Sequence, residues 1–453
     1  MAEKRFLRRS FSYPRVSESL GYLKQVINPS RVSDFFLKLL ILLLPVQIGK
    51  HFWPSFAYLW SLPIDYFSPT LYLTDVLILG AVFFKILDCL KKKKLEQKFN
   101  VKGKRVLFKV VACLGFLFFN LLIADNWGLA LYKIGKFTEF LLLGIYILFK
   151  NQSLKDFRRL VIFPIIYSSL IAWGQFYKQA SLGGWFWWLG ERVFSLQTPG
   201  IAKSVVGSKM FLRSYATFPH PHLLASFLLV CLVLVVPVLT RRKTLFLLLI
   251  VIPAIVFTFS RYTWLTCLLL GGGLLIKKTW RTRFFIPLLI VVIVLGLVFW
   301  ARFKDFLSPD IISFQRRWWL SLAALAMIKD NSITGVGMGN FLLKLVDYWP
   351  EGEVIRFLQP VHNIYLLVLS QIGVIGGVFL IGLFFKLILK VFSRGEHVLG
   401  ISLLVISFTG LFDHHWLTLQ QSQILFTFVL AWSVRAVVSV QRSAFRIKKS
   451  TGN

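Results

Sequence analysis

The feature that most constrains this chain is a series of long apolar stretches separated by short polar ones. A helix that crosses a bilayer needs about 20 mostly apolar residues. Of the 453 residues, 57% are hydrophobic, and the mean hydropathy is +0.70. A water-soluble domain could not cover so much apolar surface with polar side chains. The sequence therefore predicts an all-α polytopic membrane protein.

The apolar stretches predict about twelve transmembrane helices, with a large extracytoplasmic loop between the ninth and the tenth. The predicted spans are 34–49, 71–90, 106–124, 129–149, 160–177, 222–239, 244–260, 262–276, 284–300, 362–389, 398–412 and 423–440. They form a single transmembrane domain at 34–440, with cytoplasmic tails at 1–33 and 441–453 and outer loops at about 178–221 and 301–361. The basic first tail lacks the apolar core of a removable signal peptide, so we expect the first span to be retained.

Basic residues set the expected orientation of these spans. Most of the 53 Lys and Arg residues fall in alternate short loops, such as 91–105, 150–159 and 277–283, together with both tails. This bias is typical of cytoplasmic loops, so we expect the longer outer loops to carry the active face. The net charge of +34 is then a topology signal and does not indicate nucleic-acid binding.

Arginines on the predicted outer face are candidate site residues. Arg213 precedes His220, which lies between two prolines that favour an extended entry into the next span. It either binds an anion or belongs to an interfacial capping segment. Arg261 follows Ser260 in a tight hairpin at the membrane mouth, where it has a functional partner or snorkels to the surface.

The large outer loop carries Arg316 and Arg317 near the start of an amphipathic helix. Paired guanidinium groups could clamp a pyrophosphate, because their planar forks match phosphate oxygens. Gly335, Gly337 and Gly339 follow without the strand and the Lys-Ser/Thr pair of a phosphate-binding loop. We therefore expect them to form a compact turn.

Histidines complete the candidate site. His362 and Asn363 stand where the large loop returns to the membrane, and an imidazole has a pKa suited to a general base, although a lone histidine is more often structural. Asp413 and His414 lie in the last outward hairpin and are expected to contact a polar substrate. Adjacent imidazoles do not converge on a metal ion, and the four cysteines lack metal-site spacing, so we expect neither metal nor cofactor.

Taken together, these motifs resemble the O-antigen ligase and polymerase family of bacterial membrane glycosyltransferases, over roughly residues 74–432. The motifs are Ser260-Arg261, Arg317 ahead of Ala323-Ala324, the segment from Thr334 to Phe341, and His362-Asn363 ahead of Gly373 and Gly376. The chain departs from the family in having Ser332 where a proline is usual, and His222 where many relatives have asparagine.

The resemblance implies a metal-independent, inverting transfer of a glycan from a polyprenyl-pyrophosphate carrier to an acceptor hydroxyl. His362 would deprotonate the acceptor, and Arg261 and Arg317 would carry the charge of the departing diphosphate. The remaining candidates would assist or contact substrate: Arg213, Arg316, His220, Asn363, Asp413 and His414. The implied setting is surface-polysaccharide or lipopolysaccharide biosynthesis at the bacterial cytoplasmic (inner) membrane, with undecaprenyl pyrophosphate as the carrier.

The acceptor is left open by the sequence. It could be a lipid, as in an O-antigen ligase, a second lipid-linked glycan, as in a polymerase, or a protein. A lipid-linked glycan transporter or flippase is the alternative from another class. Its best support is the set of charges at Lys133, Lys136 and Glu139, which share one predicted span.

Overall fold

The fold was analysed in a computed structural model, which describes residues 28–91, 115, 118–150, 154–206, 208–276, 311–349 and 358–450. Within them, the helices are α1 (Pro29–Leu42), α2 (Leu73–Lys91), α3 (Trp127–Phe149), α4 (Leu154–Lys178), α5 (Pro221–Val235), α6 (Arg241–Phe257), α7 (Arg261–Ile276), α8 (Ile311–Asp330), α9 (Phe341–Tyr348), α10 (Ile364–Ser393), α11 (His397–Gly410), α12 (His415–Thr418) and α13 (Gln420–Ser450). Short 3-10 turns occur at Ser55–Ala57, Gly184–Leu189 and Val236–Val238.

Short antiparallel strands lie in two of the connections. The strands are β1 (Gly49–His51), β2 (Tyr58–Leu59), β3 (Leu62–Pro63), β4 (Thr70–Tyr72), β5 (Lys203–Val206) and β6 (Lys209–Leu212). They pair as β1 with β4, β2 with β3 and β5 with β6. Each pair is a short two-stranded sheet within one connection. The rest of the described fold is mainly helical.

Four of the described helices are long and apolar enough to cross a membrane: α4, α5 with the 3-10 turn that follows it, α10, and α13 as far as Val438. The prediction of an all-α membrane protein is thereby confirmed. The count of twelve spans, the division into one domain and two tails, and the placement of the loops stay predictions. The predicted span at 284–300 and most of that at 106–124 lie outside the described residues.

Helix α5 lies at the centre of the bundle. Nearly all of its side chains are buried, from His222 in its first turn to Val235 at its end. A helix that is apolar on every side must be enclosed by other helices, and α4, α6, α7, α11 and α13 pack around it. By contrast, α10 exposes Ile375, Phe379 and Leu389, as expected of a helix that faces lipid.

A break at Gly373 divides α10 into two segments that fold back on each other. Gly373 has φ 77° and ψ 169°, a backbone conformation that is essentially restricted to glycine. As a result, the rings of Tyr365 and Phe385, on opposite sides of the break, lie 6.1 Å apart. The segment after the break runs to Ser393 and rises about 30 Å, enough to cross the hydrocarbon core.

The glycine turn ahead of α9 packs against this break, backbone to backbone. The five consecutive N–H groups from Gly335 to Gly339 all donate to protein oxygens, including the main-chain oxygens of Ser370 (2.9 Å) and Gln371 (3.1 Å). None of these donors points at a ligand. The prediction of a compact turn in place of a phosphate-binding loop is therefore confirmed.

Buried charges link α2, α3 and α13. The ammonium group of Lys136 lies 2.5 Å from Asp75 and 3.2 Å from Glu139, and it also donates to the side chain of Gln420 at 3.2 Å. Lys133 donates to the main-chain oxygen of Tyr66 at 2.8 Å. The charges that motivated the transporter alternative therefore make internal contacts, which hold the first residue of α13 in place.

We predict that Gly373→Ala destabilises the protein, whereas Gly382→Ala does not. A Cβ at Gly373 would lie 2.2 Å from the main-chain oxygen of Ile333, and the backbone conformation alone costs an alanine about 1–3 kcal/mol. Gly382 lies in the same helix with no atom within 4 Å of an added Cβ. Thermal unfolding of the two purified variants in detergent would check this. Equal melting temperatures would contradict the packing described above.

Candidate active site

A group of imidazole, guanidinium and hydroxyl side chains meets where α5, α7 and α10 begin, beside α8 and the turn between α11 and α12. We call it the histidine cluster, and its members are Arg213, His220, His222, Tyr262, Arg317, His362, Asp413 and His414. They come from five separate parts of the sequence.

The segment that carries Arg213 is held by the end of α4. The side-chain amide of Gln175 accepts from the N–H groups of Tyr215 (2.9 Å) and Ala216 (2.7 Å) and donates to the Ala216 main-chain oxygen (2.9 Å). His220 then has φ −149° and ψ 144°, which confirms the extended entry predicted from its flanking prolines. This anchoring fixes Arg213 and His220 at the start of α5.

Arg213 is oriented by two contacts. Its Nε donates to the main-chain oxygen of Thr258 at 2.7 Å, and its Nη2 lies 3.2–3.3 Å from the ring nitrogens of His222. The Nδ1 of His222 is also 2.8 Å from the Ser260 hydroxyl. Because a guanidinium group can only donate, a neutral His222 satisfies both neighbours when Nδ1–H donates to Ser260 and Nε2 accepts from Arg213.

Asp413 is the buried carboxylate of the cluster. It accepts from the Tyr262 hydroxyl and from the N–H of His415, each at 3.3 Å. The ring of Tyr262 also packs on His222, at 5.0 Å between centroids. The side of the cluster formed by α5 and α7 is thus joined to the turn after α11.

His414 connects this turn to His362. Its Nδ1 lies 2.7 Å from the Thr418 hydroxyl, and its ring is 5.2 Å from that of His362 and 5.7 Å from that of Tyr66. Both ring contacts are close to perpendicular. His414 therefore forms one wall beside His362 and is itself fixed by a hydrogen bond.

His362 differs from its neighbours in one respect. Its Nδ1 is buried and has no hydrogen-bond partner among the described residues, whereas the Nδ1 atoms of His220, His222 and His414 all have one. A buried polar atom without a partner costs about 1–3 kcal/mol. Such an atom is what a site would offer to a substrate hydroxyl.

Packing of α8 brings Arg317 towards His362. Leu320, Ala323 and Ala324 on α8 belong to the same apolar cluster as Val361, the residue before His362. Arg317 lies one turn ahead of Leu320, and its positive charge acts on His220, His362 and His414. Two guanidinium groups, from Arg213 and Arg317, thus share one set of histidines.

The cluster holds neutral imidazoles and an ionised carboxylate near neutral pH. Burial, together with Arg213, lowers the pKa of His220 to about 3, and burial lowers that of His362 to about 3 against the opposing charge of Asp413. Burial alone would raise the pKa of Asp413, but the surrounding imidazoles lower it well below its usual value. The positive charge of the site is therefore on its arginines.

The other predicted site residues have more peripheral positions. Arg261 and Arg316 are half-buried sequence neighbours of Ser260 and Arg317, but neither is among the charges that most affect the pKa of His220 or His362. The Asn363 side chain caps α10, accepting from the N–H groups of Tyr365 and Leu366. Its oxygen is therefore already used within the protein.

Sequence reasoning did not select Tyr262, His222 or Tyr66 as site residues. Only their positions in the sequence could have indicated two of them: Tyr262 directly follows Arg261, and His222 lies two residues after His220. Tyr66 lies in the β-hairpin connection ahead of α2, and no motif marks it. Among the described residues, no group of three His, Cys, Asp or Glu side chains is arranged to hold a metal ion.

We predict that the protein loses stability as the pH falls below about 6.5, because His220 and His362 are held neutral when folded but take up protons when unfolded. This contribution is complete above pH 6.5 and disappears as the pH falls towards about 3. His220→Asn, which keeps an acceptor at the helix start, should recover about 1–2 kcal/mol of the loss at pH 5. Melting temperatures of the wild type and of His220→Asn in detergent, from pH 7 to pH 4.5, measure this loss of stability.

The matched control is His397→Asn, which replaces an exposed histidine at the start of α11. It should follow the wild-type pH dependence. A melting temperature that does not change with pH in the wild type would contradict the neutral state of the buried histidines.

Comparison with known proteins adds one match. A family model described as O-antigen ligase matches residues 245–381, just under a third of the chain. The matched segment contains Ser260, Arg317 and His362, whereas Arg213 and Asp413 lie outside it. No curated protein matches the sequence. The family resemblance predicted from the sequence motifs is thus confirmed for this segment, which is similar to the O-antigen ligase family.

Proposed function

We propose that the protein is a membrane glycosyltransferase that moves a glycan from a polyprenyl-pyrophosphate carrier to an acceptor hydroxyl, without a metal ion and with inversion. The observation that carries the proposal is the buried Nδ1 of His362, which has no partner among the described residues and lies beside the charge of Arg317, in the cluster that also contains Arg213. A base and an anion-binding pair at one place suit a reaction in which a hydroxyl attacks and a diphosphate departs.

The arginines serve the leaving group. As the bond between the anomeric carbon and the phosphate oxygen breaks, negative charge grows on the diphosphate, and fixed guanidinium groups stabilise it. Arg213 suits this role because Thr258 and His222 orient it before any substrate binds. Arg317 is the second donor, and Arg261 and Arg316 assist from the neighbouring positions.

His362 serves the acceptor. Its Nδ1 accepts the proton of the acceptor hydroxyl as the oxygen forms its bond to the anomeric carbon. With a pKa of about 3, His362 is a weak base before the donor binds. Binding of a multiply charged diphosphate next to the imidazole favours its protonated form and raises that pKa. The donor thereby strengthens the base that its own transfer requires.

His220, Asp413 and His414 are proposed to contact the sugar or the acceptor, because they form the walls around His362. The Asn363 amide nitrogen lies at the same helix start and is proposed to join them. The site lies on the extracytoplasmic face of a bacterial cytoplasmic membrane in this proposal, supported by the basic bias of the opposite loops. Lipopolysaccharide or a related surface glycan is the proposed product.

We predict that His362→Ala and Arg317→Ala each abolish measurable glycan transfer while the protein remains in the membrane. Loss of a general base typically costs a factor of about 10²–10⁴, and loss of one charge-stabilising donor about 10²–10³. Transfer is measured with a polyprenyl-pyrophosphate glycan and purified protein, and insertion by the amount of protein in the membrane fraction.

The matched controls are His397→Ala and Arg394→Ala, which remove the same side-chain types from exposed positions. Both should keep wild-type transfer. If His362→Ala and Arg317→Ala also support normal transfer, the proposed enzyme function is wrong.

Reconstitution with different acceptors decides between the related functions. A lipid A conjugate as the product identifies a ligase, a longer lipid-linked chain identifies a polymerase, and a glycoprotein identifies a protein glycosyltransferase. All three use the same donor chemistry at His362, so the residue predictions above hold for each.

A further inference from the structure

A groove of about 690 Å³ runs between α10 and α13. Tyr365 and Leu417 line it, together with Phe384, Phe426 and Leu430. The Tyr365 hydroxyl is hydrogen-bonded to the Ser407 hydroxyl at 2.6 Å. Apart from Tyr365 and two lysines, the residues that line the groove are apolar. Its volume falls within the range of about 300–1,000 Å³ usual for ligand sites.

The α10 side of the groove carries two basic residues. Lys386 and Lys390 line it, lie one helical turn apart on the same face of α10, and are both exposed. Neither ammonium group forms an ion pair with a residue that the structure describes. Glu396, the first acidic residue after them in the sequence, acts on Arg158 of α4.

This combination has a defined ligand chemistry. An apolar channel along a lipid-facing helix suits a hydrocarbon chain, and two exposed ammonium groups on its wall, without an ion pair among the described residues, suit a phosphate. Basic pockets between transmembrane helices typically bind anionic lipid headgroups. Lys390 lies in the last turn of α10, which ends at Ser393, and Lys386 lies one turn before it. The charge is therefore near the end of the helix, where a lipid headgroup can reach it.

We propose that the groove between α10 and α13 binds an anionic phospholipid of the surrounding membrane, with its phosphate on Lys386 and Lys390 and an acyl chain along Phe384, Phe426 and Leu430. The chain ends near Leu417, whose N–H donates to the His414 main-chain oxygen at 3.0 Å. The lipid thus packs against the turn that carries the walls of the site. This site is separate from the glycan-transfer chemistry and does not depend on it.

The test uses purified full-length protein, stripped of lipid in detergent and titrated with phosphatidylglycerol or with phosphatidylcholine of the same acyl chains. Native mass spectrometry measures bound lipid. The wild type should bind phosphatidylglycerol more tightly. The double variant K386Q/K390Q should weaken that preference by about 10- to 30-fold, because each lysine near a lipid phosphate contributes a factor of about five.

Two further variants sharpen the result. R242Q/K243Q removes the same charge from exposed residues at the start of α6 and should keep the wild-type preference. L430W narrows the groove and keeps both lysines. It should weaken the binding of both lipids. Melting temperatures of the lipid-free variants show that each is folded.

Three outcomes would overturn the proposal. The first is equal affinity for the two lipids in the wild type. The second is an equal loss in K386Q/K390Q and R242Q/K243Q, which would indicate general surface charge. The third is displacement of phosphatidylglycerol by a polyprenyl phosphate that binds K386Q/K390Q as well as wild type, which would assign the groove to a carrier chain. None of these measurements uses transfer activity, so they leave the proposed function to its own test.

Discussion

Inside an apolar medium a buried polar group must find its partner within the protein, and this requirement organises the chain from α1 to α13. Lys136 is surrounded by Asp75, Glu139 and Gln420, so three distant helices meet at one point. The imidazole of His415 bridges Ser226 of α5 and Ser422 of α13. These contacts hold the turn between α11 and α12 in position, and with it Asp413 and His414.

Against that background, the proposed function rests on the Nδ1 of His362, which has no hydrogen-bond partner in the part of the chain that the structure describes. The Nδ1 atoms of His220, His222 and His414 are bonded to hydroxyl or main-chain groups, which fixes their rings. Asp413 is the buried carboxylate of the cluster, and it accepts hydrogen bonds from the Tyr262 hydroxyl and from the N–H of His415.

The glycine contact at the break in α10 sets the position of His362 in the histidine cluster. Because Gly335 and Gly373 lack side chains, the turn and the helix approach within backbone hydrogen-bonding distance. That approach fixes the segment from His362 to Gln371 relative to α8, and therefore fixes His362 relative to Arg317. The glycine run has a structural role at the site, although its sequence has a superficial likeness to a phosphate-binding loop.

The sequence by itself determined the class of the protein, because apolar length and basic loops are local properties that need no knowledge of packing. It also selected His362, Arg317, Arg213 and Asp413 as candidate site residues, since polar side chains at the ends of apolar stretches are few, and their roles stay predictions. It could not show that Asn363 is a helix cap, that Lys136 is paired with Asp75, or that Tyr262 and His222 join the cluster. Those facts depend on contacts between residues far apart in the chain, and the fold-back of α10 depends on a backbone conformation at Gly373 that only the tertiary structure decided.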